Sequence, residues 1–258
     1  MQRAPRIPLF LFFLCCLVPS VAPARAGLFS VSPEKERNIG ADASRQIEAQ
    51  APLVSGPVAD WVEGVGQRLA KVSDPEFQYS FRVIESPEIN AFALPGGYVY
   101  VYTGLRQVAP TEDELAAVLA HEITHAEEHH YAEQSRKSSR RGLLLGIGSL
   151  LLGLPNWANQ TLGLLDFART QKYSRAQEAE ADRIGMERLA RAGYDPAGMV
   201  SLLDKLAQQD ESSGTLNAWF GSHPDASGRA AAARALLLKM HAAPQEKTAA
   251  EKPLSAAW

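Results

Sequence analysis

The chain has 258 residues, 46% of them hydrophobic and 21% charged, which excludes a collagen-like or wholly disordered polymer and leaves enough apolar mass for a sizeable core. Its formal net charge of -3 provides no basic field, so nucleic acid is not an expected partner. The two cysteines, Cys15 and Cys16, are adjacent and close to the N-terminus, so the rest of the chain must be stabilised by its core or by a metal rather than by disulfides.

Residues 1–26 read as a secretory signal peptide. Arg3 and Arg6 precede an apolar run over 7–18, and small residues lead to Ala24-Arg25-Ala26, the layout of a basic start, a short apolar middle and an A-x-A cleavage site. The run is shorter than the ~20 residues a membrane span wants; a retained N-terminal anchor is the alternative. Cleavage after Ala26 leaves 27–242 as one exported domain and 243–258 as a disordered tail.

A helix is predicted over 33–50, with Ser32 as cap and Pro33 in the first turn. A second is predicted over 57–72, where Val58, Trp61, Val62, Val65 and Leu69 recur at helical spacing. Phe77, Tyr79, Phe81 and Val83 alternate with polar residues and predict a strand over 77–84. Pro95-Gly96-Gly97 is a turn, and Tyr98, Tyr100 and Tyr102 share one face of a strand over 97–103. That strand is expected to hold an extended substrate along its edge, or else to serve only as core and surface. Thr111 to Glu114 forms a capping box for a helix over 112–134. An apolar Gly/Leu run covers 142–154. Further helices are predicted over 161–192, stopping at Gly193, and near 197–209 and 228–242. Helix dominates, with a small sheet ahead of the long helix: an α+β, mainly helical domain.

The chemistry concentrates in His121-Glu122-Ile123-Thr124-His125. Residues four apart share a helix face, so both imidazoles can reach one ion, and Glu122 can face the open coordination position as a base. Zinc suits imidazole and carboxylate donors and a hydrolysis without redox chemistry. A catalytic zinc needs a third protein ligand. Glu178 and Asp182, four apart on a later helix, supply candidates: one carboxylate can ligate, and the other can hold an imidazole by its second nitrogen. Glu180 is turned away from both. His129 and His130 lie beyond the motif, and His130 is read as a structural or capping residue off the ligand row; His241 is read as solvated.

The His121-Glu122-x-x-His125 helix, the Glu178-x-x-x-Asp182 helix and the segment from Asn90 to Leu105 together resemble the HtpX/BepA/LoiP-type zinc metallopeptidases. These form part of metallopeptidase family forty-eight, with the CAAX prenyl and mitochondrial Oma-type proteases. The resemblance implies a gluzincin-type domain with a small β-sheet beside the active-site helix. It implies one zinc per chain, Glu178 as third ligand and Asp182 as the partner behind an imidazole. Ser222-His223-Pro224 and Arg229 match the family's His-Pro segment. By that resemblance His223 either stabilises the oxyanion or takes the fourth metal position, and Arg229 supports that loop or the transition state.

The function expected is that of a periplasmic zinc endopeptidase acting on misfolded or mis-assembled envelope proteins. The alternative is a chaperone-like assembly factor for outer-membrane proteins with latent protease activity. The run 142–154 is expected to form a buried helix or a flap over the cleft, with contact to a membrane surface or an outer-membrane assembly as its alternative use.

Overall fold

The computed structural model describes residues 33–134, 172–210 and 222–242. The expected signal peptide, the run 142–154, the first part of the helix expected over 161–192 and the tail from 243 lie outside them.

Helix α1 (Pro33–Glu48) and helix α2 (Pro57–Ala70) precede three strands: β1 (Ser80–Ile84), β2 (Ala91–Leu94) and β3 (Tyr98–Tyr102). A 3-10 turn over Thr103–Gln107 leads to helix α3 (Glu112–Glu127). Helices α4 (Arg175–Ala192), α5 (Ala197–Asp210) and α6 (Ala226–Ala242) follow. The mainly helical α+β reading therefore holds, while several boundaries move inward. The first strand starts at Ser80 rather than at residue 77.

The sheet order is β1-β3-β2. β1 pairs with β3 in parallel, Ser80 opposite Tyr98 through Ile84 opposite Tyr102. β2 pairs with β3 antiparallel, Ala91 opposite Val101 and Leu94 opposite Tyr98. This corrects the expectation that the strand over 97–103 offers an edge to substrate. β3 is the middle strand, and its backbone groups are already paired on both sides.

The tyrosine face is not a substrate pocket either. Side chains alternate across a strand, so β3 sends Val99 and Val101 into the main core with α2, α3 and α5. It sends Tyr100 and Tyr102 into a second cluster with Ala43 and Ile47 of α1 and with Phe92 and Leu94 of β2. Tyr100 and Tyr102 are fully buried there; the Tyr100 hydroxyl donates to Ser44 Oγ at 2.9 Å, and Phe92 stacks on Tyr100 at a centroid distance of 5.0 Å. Helix α1 lies close on the turn after β2: a Cβ added at Gly40 would stand 1.7 Å from the carbonyl oxygen of Pro95.

Helix α3 is buried on all sides from Asp113 to Ala126, packed by α2, α4, α5 and the sheet. The expected capping box forms: the Glu114 amide donates to Thr111 Oγ1 and the Thr111 amide to a Glu114 carboxylate oxygen. The helix then stops earlier than expected. His129 takes a left-handed backbone, φ 53, unusual for a residue other than glycine, and a short helical turn resumes at 130–134.

Helix α4 likewise starts later than expected. Lys172, Tyr173 and Ser174 are not helical, and Ser174 caps the helix with Gln177 in a second capping box. Gly193 ends it in the left-handed conformation, φ 76, as its sequence position predicts. Arg188 ties α4 to the back of α3, donating to the Ala120 carbonyl at 2.9 Å and also to Thr124 and Glu127. Among the described residues no helix is long and apolar enough to cross a membrane.

Candidate metal centre

His121 and His125 stand one turn apart on α3, Glu178 lies in the first turn of α4, and His223 precedes α6. One donor atom from each falls within 4.8 Å of every other, and all four side chains are buried. His121 Nε2 is 3.0 Å from His125 Nε2 and 3.2 Å from His223 Nδ1. Glu178 oxygens lie 3.5 Å from His121 Nε2, 3.4 Å from His125 Nε2 and 3.1 Å from His223 Nδ1. Donors at tetrahedral corners around an ion with bonds of ~2.0–2.1 Å are spaced about 3.3 Å apart. The separations, with the Glu178 contacts shared between its two oxygens, are close to that edge length, and three histidine nitrogens with a glutamate oxygen are a donor set zinc accepts.

Asp182, one turn after Glu178, has an oxygen 3.0 Å from His121 Nδ1, the nitrogen turned away from the other donors. Arg229 of α6 clasps Asp182 with two nitrogens at 2.8 and 2.7 Å and reaches a Glu178 oxygen at 2.6 Å. It sits behind the donors, in contact with the Asp182 and Glu178 carboxylates, where it holds both in place. His129 pairs with Glu36 of α1 at 2.6 Å, away from the donors, and His241 is exposed.

The charges follow from these contacts. Burial alone would lower the His121 imidazole, but the Asp182 and Glu178 carboxylates outweigh it and raise its pKa to about 9. For His125 burial wins, aided by the His121 charge, and the imidazole is held well below its ordinary value. Burial would raise the Glu178 carboxyl, yet His223 and Arg229 hold it well below the usual carboxylate range. Burial pushes Glu122 up, against the opposing pull of His223 and His121. Neither Glu122 oxygen has a well-directed hydrogen bond among the described residues, and the nearest imidazole nitrogen, His223 Nε2, is 3.5 Å away. A buried carboxylate with no well-directed hydrogen bond of its own, beside a set of metal donors, is available to a water held there.

Three participants were not expected. Tyr173 lays its ring flat on His125, centroids 3.8 Å apart and 19° between planes, and its phenol is raised well above the ordinary value by burial. His130 turns back beyond the break at His129, so that its Nδ1 is 2.8 Å from His125 Nδ1. Glu180, expected to face away, has an oxygen 3.3 Å from His130 Nε2. The Ser174-x-x-Gln177 capping signature could have placed Tyr173 outside the helix. Nothing in Glu127-Glu128-His129-His130 signals the break that brings His130 round, because neither glycine nor proline marks it.

The family model described as "Peptidase family M48" matches residues 58–237. A beta-barrel assembly-enhancing protease of Yersinia pestis is 32% identical over 203 residues, 75% of this chain and 41% of the relative. The protein of that name from Escherichia coli K12 is 30% identical over 239 residues, 84% of this chain and 49% of the relative. The mitochondrial metalloendopeptidase OMA1 of Schizosaccharomyces pombe is 30% identical over 204 residues, 77% of this chain and 60% of the relative. The chain thus spans about half the length of these relatives. It belongs to peptidase family M48, whose metalloproteases depend on zinc.

Proposed function

We propose that this M48 chain is an exported zinc endopeptidase of the cell envelope, acting on misfolded or mis-assembled envelope proteins. The observation that carries the hydrolytic part is the convergence of four buried donors with the buried Glu122 carboxylate, which lacks a well-directed hydrogen bond, beside them. The envelope part rests on the printed name shared by the assembly-enhancing relatives and on the signal-like residues 1–26.

His121, His125 and Glu178 would hold the metal. Bound there, zinc would polarise the scissile carbonyl and acidify a water molecule. Glu122, whose proton affinity burial raises, takes the proton from the attacking water and passes it to the leaving amine. An extended peptide is aligned by β2 rather than β3. The Tyr102 amide donates to the Asn90 carbonyl at 3.0 Å; in an antiparallel ladder the alternation then turns the N–H and C=O groups of Ala91 and Ala93 to the outer edge. The Ala93 amide lies close enough to Glu122 to favour its ionised form, so this edge runs past the base.

The reading is tested by incubating the purified chain with casein and with an unfolded porin, in parallel with Glu122→Gln. Losing the base is expected to cut cleavage by ~10²–10⁴-fold; equal cleavage by both proteins rejects the enzyme. A second reading, an assembly factor whose proteolysis is held dormant, is favoured by one observation: His223 fills the fourth corner of a fully buried site. His223→Ala separates the two. A faster rate supports dormancy, and a slower one makes His223 a helper of the reaction.

A further inference from the structure

Resting on the zinc site proposed above, we infer that His130 and Glu180 form a relay that fixes the tautomer and orientation of His125, so that they are positioning residues for the metal. His125 directs Nε2 toward the other donors, so as a ligand it carries its proton on Nδ1. That N–H points at His130 Nδ1, 2.8 Å away. Two imidazole nitrogens at this distance bond only if one donates and the other accepts. His130 Nδ1 is therefore the acceptor, its proton sits on Nε2, and this second N–H meets the Glu180 carboxylate at 3.3 Å. Every ring proton in the series is assigned by the bond it makes.

The two ligand imidazoles are thus treated alike. Asp182 holds His121 directly at 3.0 Å, and Glu180 holds His125 through one intervening ring. Both carboxylates come from α4, two and four residues after Glu178, so a single helix supplies a metal donor and the anchors of both histidines. A ligand imidazole with its outer N–H bonded to a carboxylate is more basic and better oriented, and loss of such a partner typically weakens metal binding by ~10–100-fold. The His130 ring is buried, while the Glu180 side chain is 44% exposed, so the relay ends at the surface.

The test is zinc affinity by competition with a chromophoric chelator on the full chain. His130→Phe keeps a ring against His125 and Tyr173 but removes the acceptor, and is expected to weaken zinc binding ~10–100-fold. His130→Asn puts an amide oxygen where Nδ1 stood and is expected to recover most of that loss, although it fills less space. Packing alone predicts the reverse order, so Asn binding no tighter than Phe, or Phe binding like the parent, overturns the relay. Should either His130 variant fail to fold, Glu180→Leu, at a half-exposed position, decides the matter. It is expected to weaken zinc in the same direction and to move the His130 ring ¹⁵N signals of the zinc-loaded chain away from the pure Nε2–H pattern. Unchanged affinity and unchanged signals overturn the relay. A parent chain that takes up no zinc at one equivalent overturns the site itself, whereas a parent that binds zinc with indifferent variants overturns only the relay.

Discussion

Single side chains at this site are held by partners whose removal leaves a charge stranded. Arg229 is the clearest case. It is buried, raised above its ordinary proton affinity by Asp182 and then Glu178 once the opposing effect of burial is overcome, and clasped to Asp182 through two nitrogens. Arg229→Met would leave the Asp182 carboxylate in the interior with only His121, and breaking a buried pair from one side costs about 3–5 kcal/mol. Urea unfolding of the metal-free chain should show that loss, and adding Asp182→Asn should return part of it. A variant as stable as the parent would mean that water, and not Arg229, solvates Asp182. The pairing of His121 with His125 was legible residue by residue, because helical spacing puts i and i+4 on one face; spacing left Glu178 and Asp182 as alternatives, and only the family resemblance pointed to Glu178. The part played by Glu180 was not legible, since an i+2 residue lies off that helix face and only another element brings it a partner.

At the scale of elements, α1 clamps the sheet. Gly40 permits its approach, and the methyl of Gly40→Ala would collide with the Pro95 backbone. Alanine gains about 1 kcal/mol of helix propensity over glycine, but forcing a methyl into packed backbone costs about 1–3 kcal/mol. A lower melting temperature, with faster amide exchange in α1, is the expected outcome; a higher melting temperature would show that α1 can slide off the turn without loss. The same helix is pinned to the end of α3 by Glu36 and His129. That hydrogen bond, first, and the Glu36 charge raise the His129 pKa against burial. A histidine whose pKa is higher folded than unfolded adds stability that is fully present below the unfolded value, about 6.5, and fades as pH rises through the folded value. His129→Gln should therefore lower the melting temperature more at pH 5.5 than at pH 9.5; an equal drop at both would show that charge plays no part. The order of the helices and of β1 and β3 was readable from periodicity and caps, but β2 was not predicted, nor was the strand that lies in the middle. A short strand's sequence records which faces are apolar, and β3 is apolar on both because helices cover both.

The whole molecule draws its coherence from one buried helix. Helix α3 packs against the sheet, α2, α4 and α5 together, and the donors His121, His125, Glu178 and His223 come from three separate parts of the chain. A metal that binds only the folded arrangement stabilises it by mass action, about 2.7 kcal/mol when free zinc is a hundred times its dissociation constant. A chelator should accordingly lower the melting temperature of the zinc-loaded chain. Glu178→Ala, which removes the carboxylate donor, should bind less than one equivalent and melt at one temperature with or without chelator. A parent chain indifferent to the chelator would argue that the cluster is stable without an ion.

The family, the helix that carries the candidate metal donors His121 and His125, and the mainly helical α+β class were determined by the sequence alone. Each depends on short-range regularities: the four-residue spacing of His121 and His125, the capping box at Thr111, and the three motifs in their order. Only the tertiary structure decided that β3 is interior, that Tyr100 and Tyr102 pack beneath α1, and that His130 and Glu180 stand behind His125. Those facts depend on which distant surfaces meet, and a left-handed turn at His129, unmarked by glycine or proline, is held by its pairing with Glu36 some ninety residues earlier.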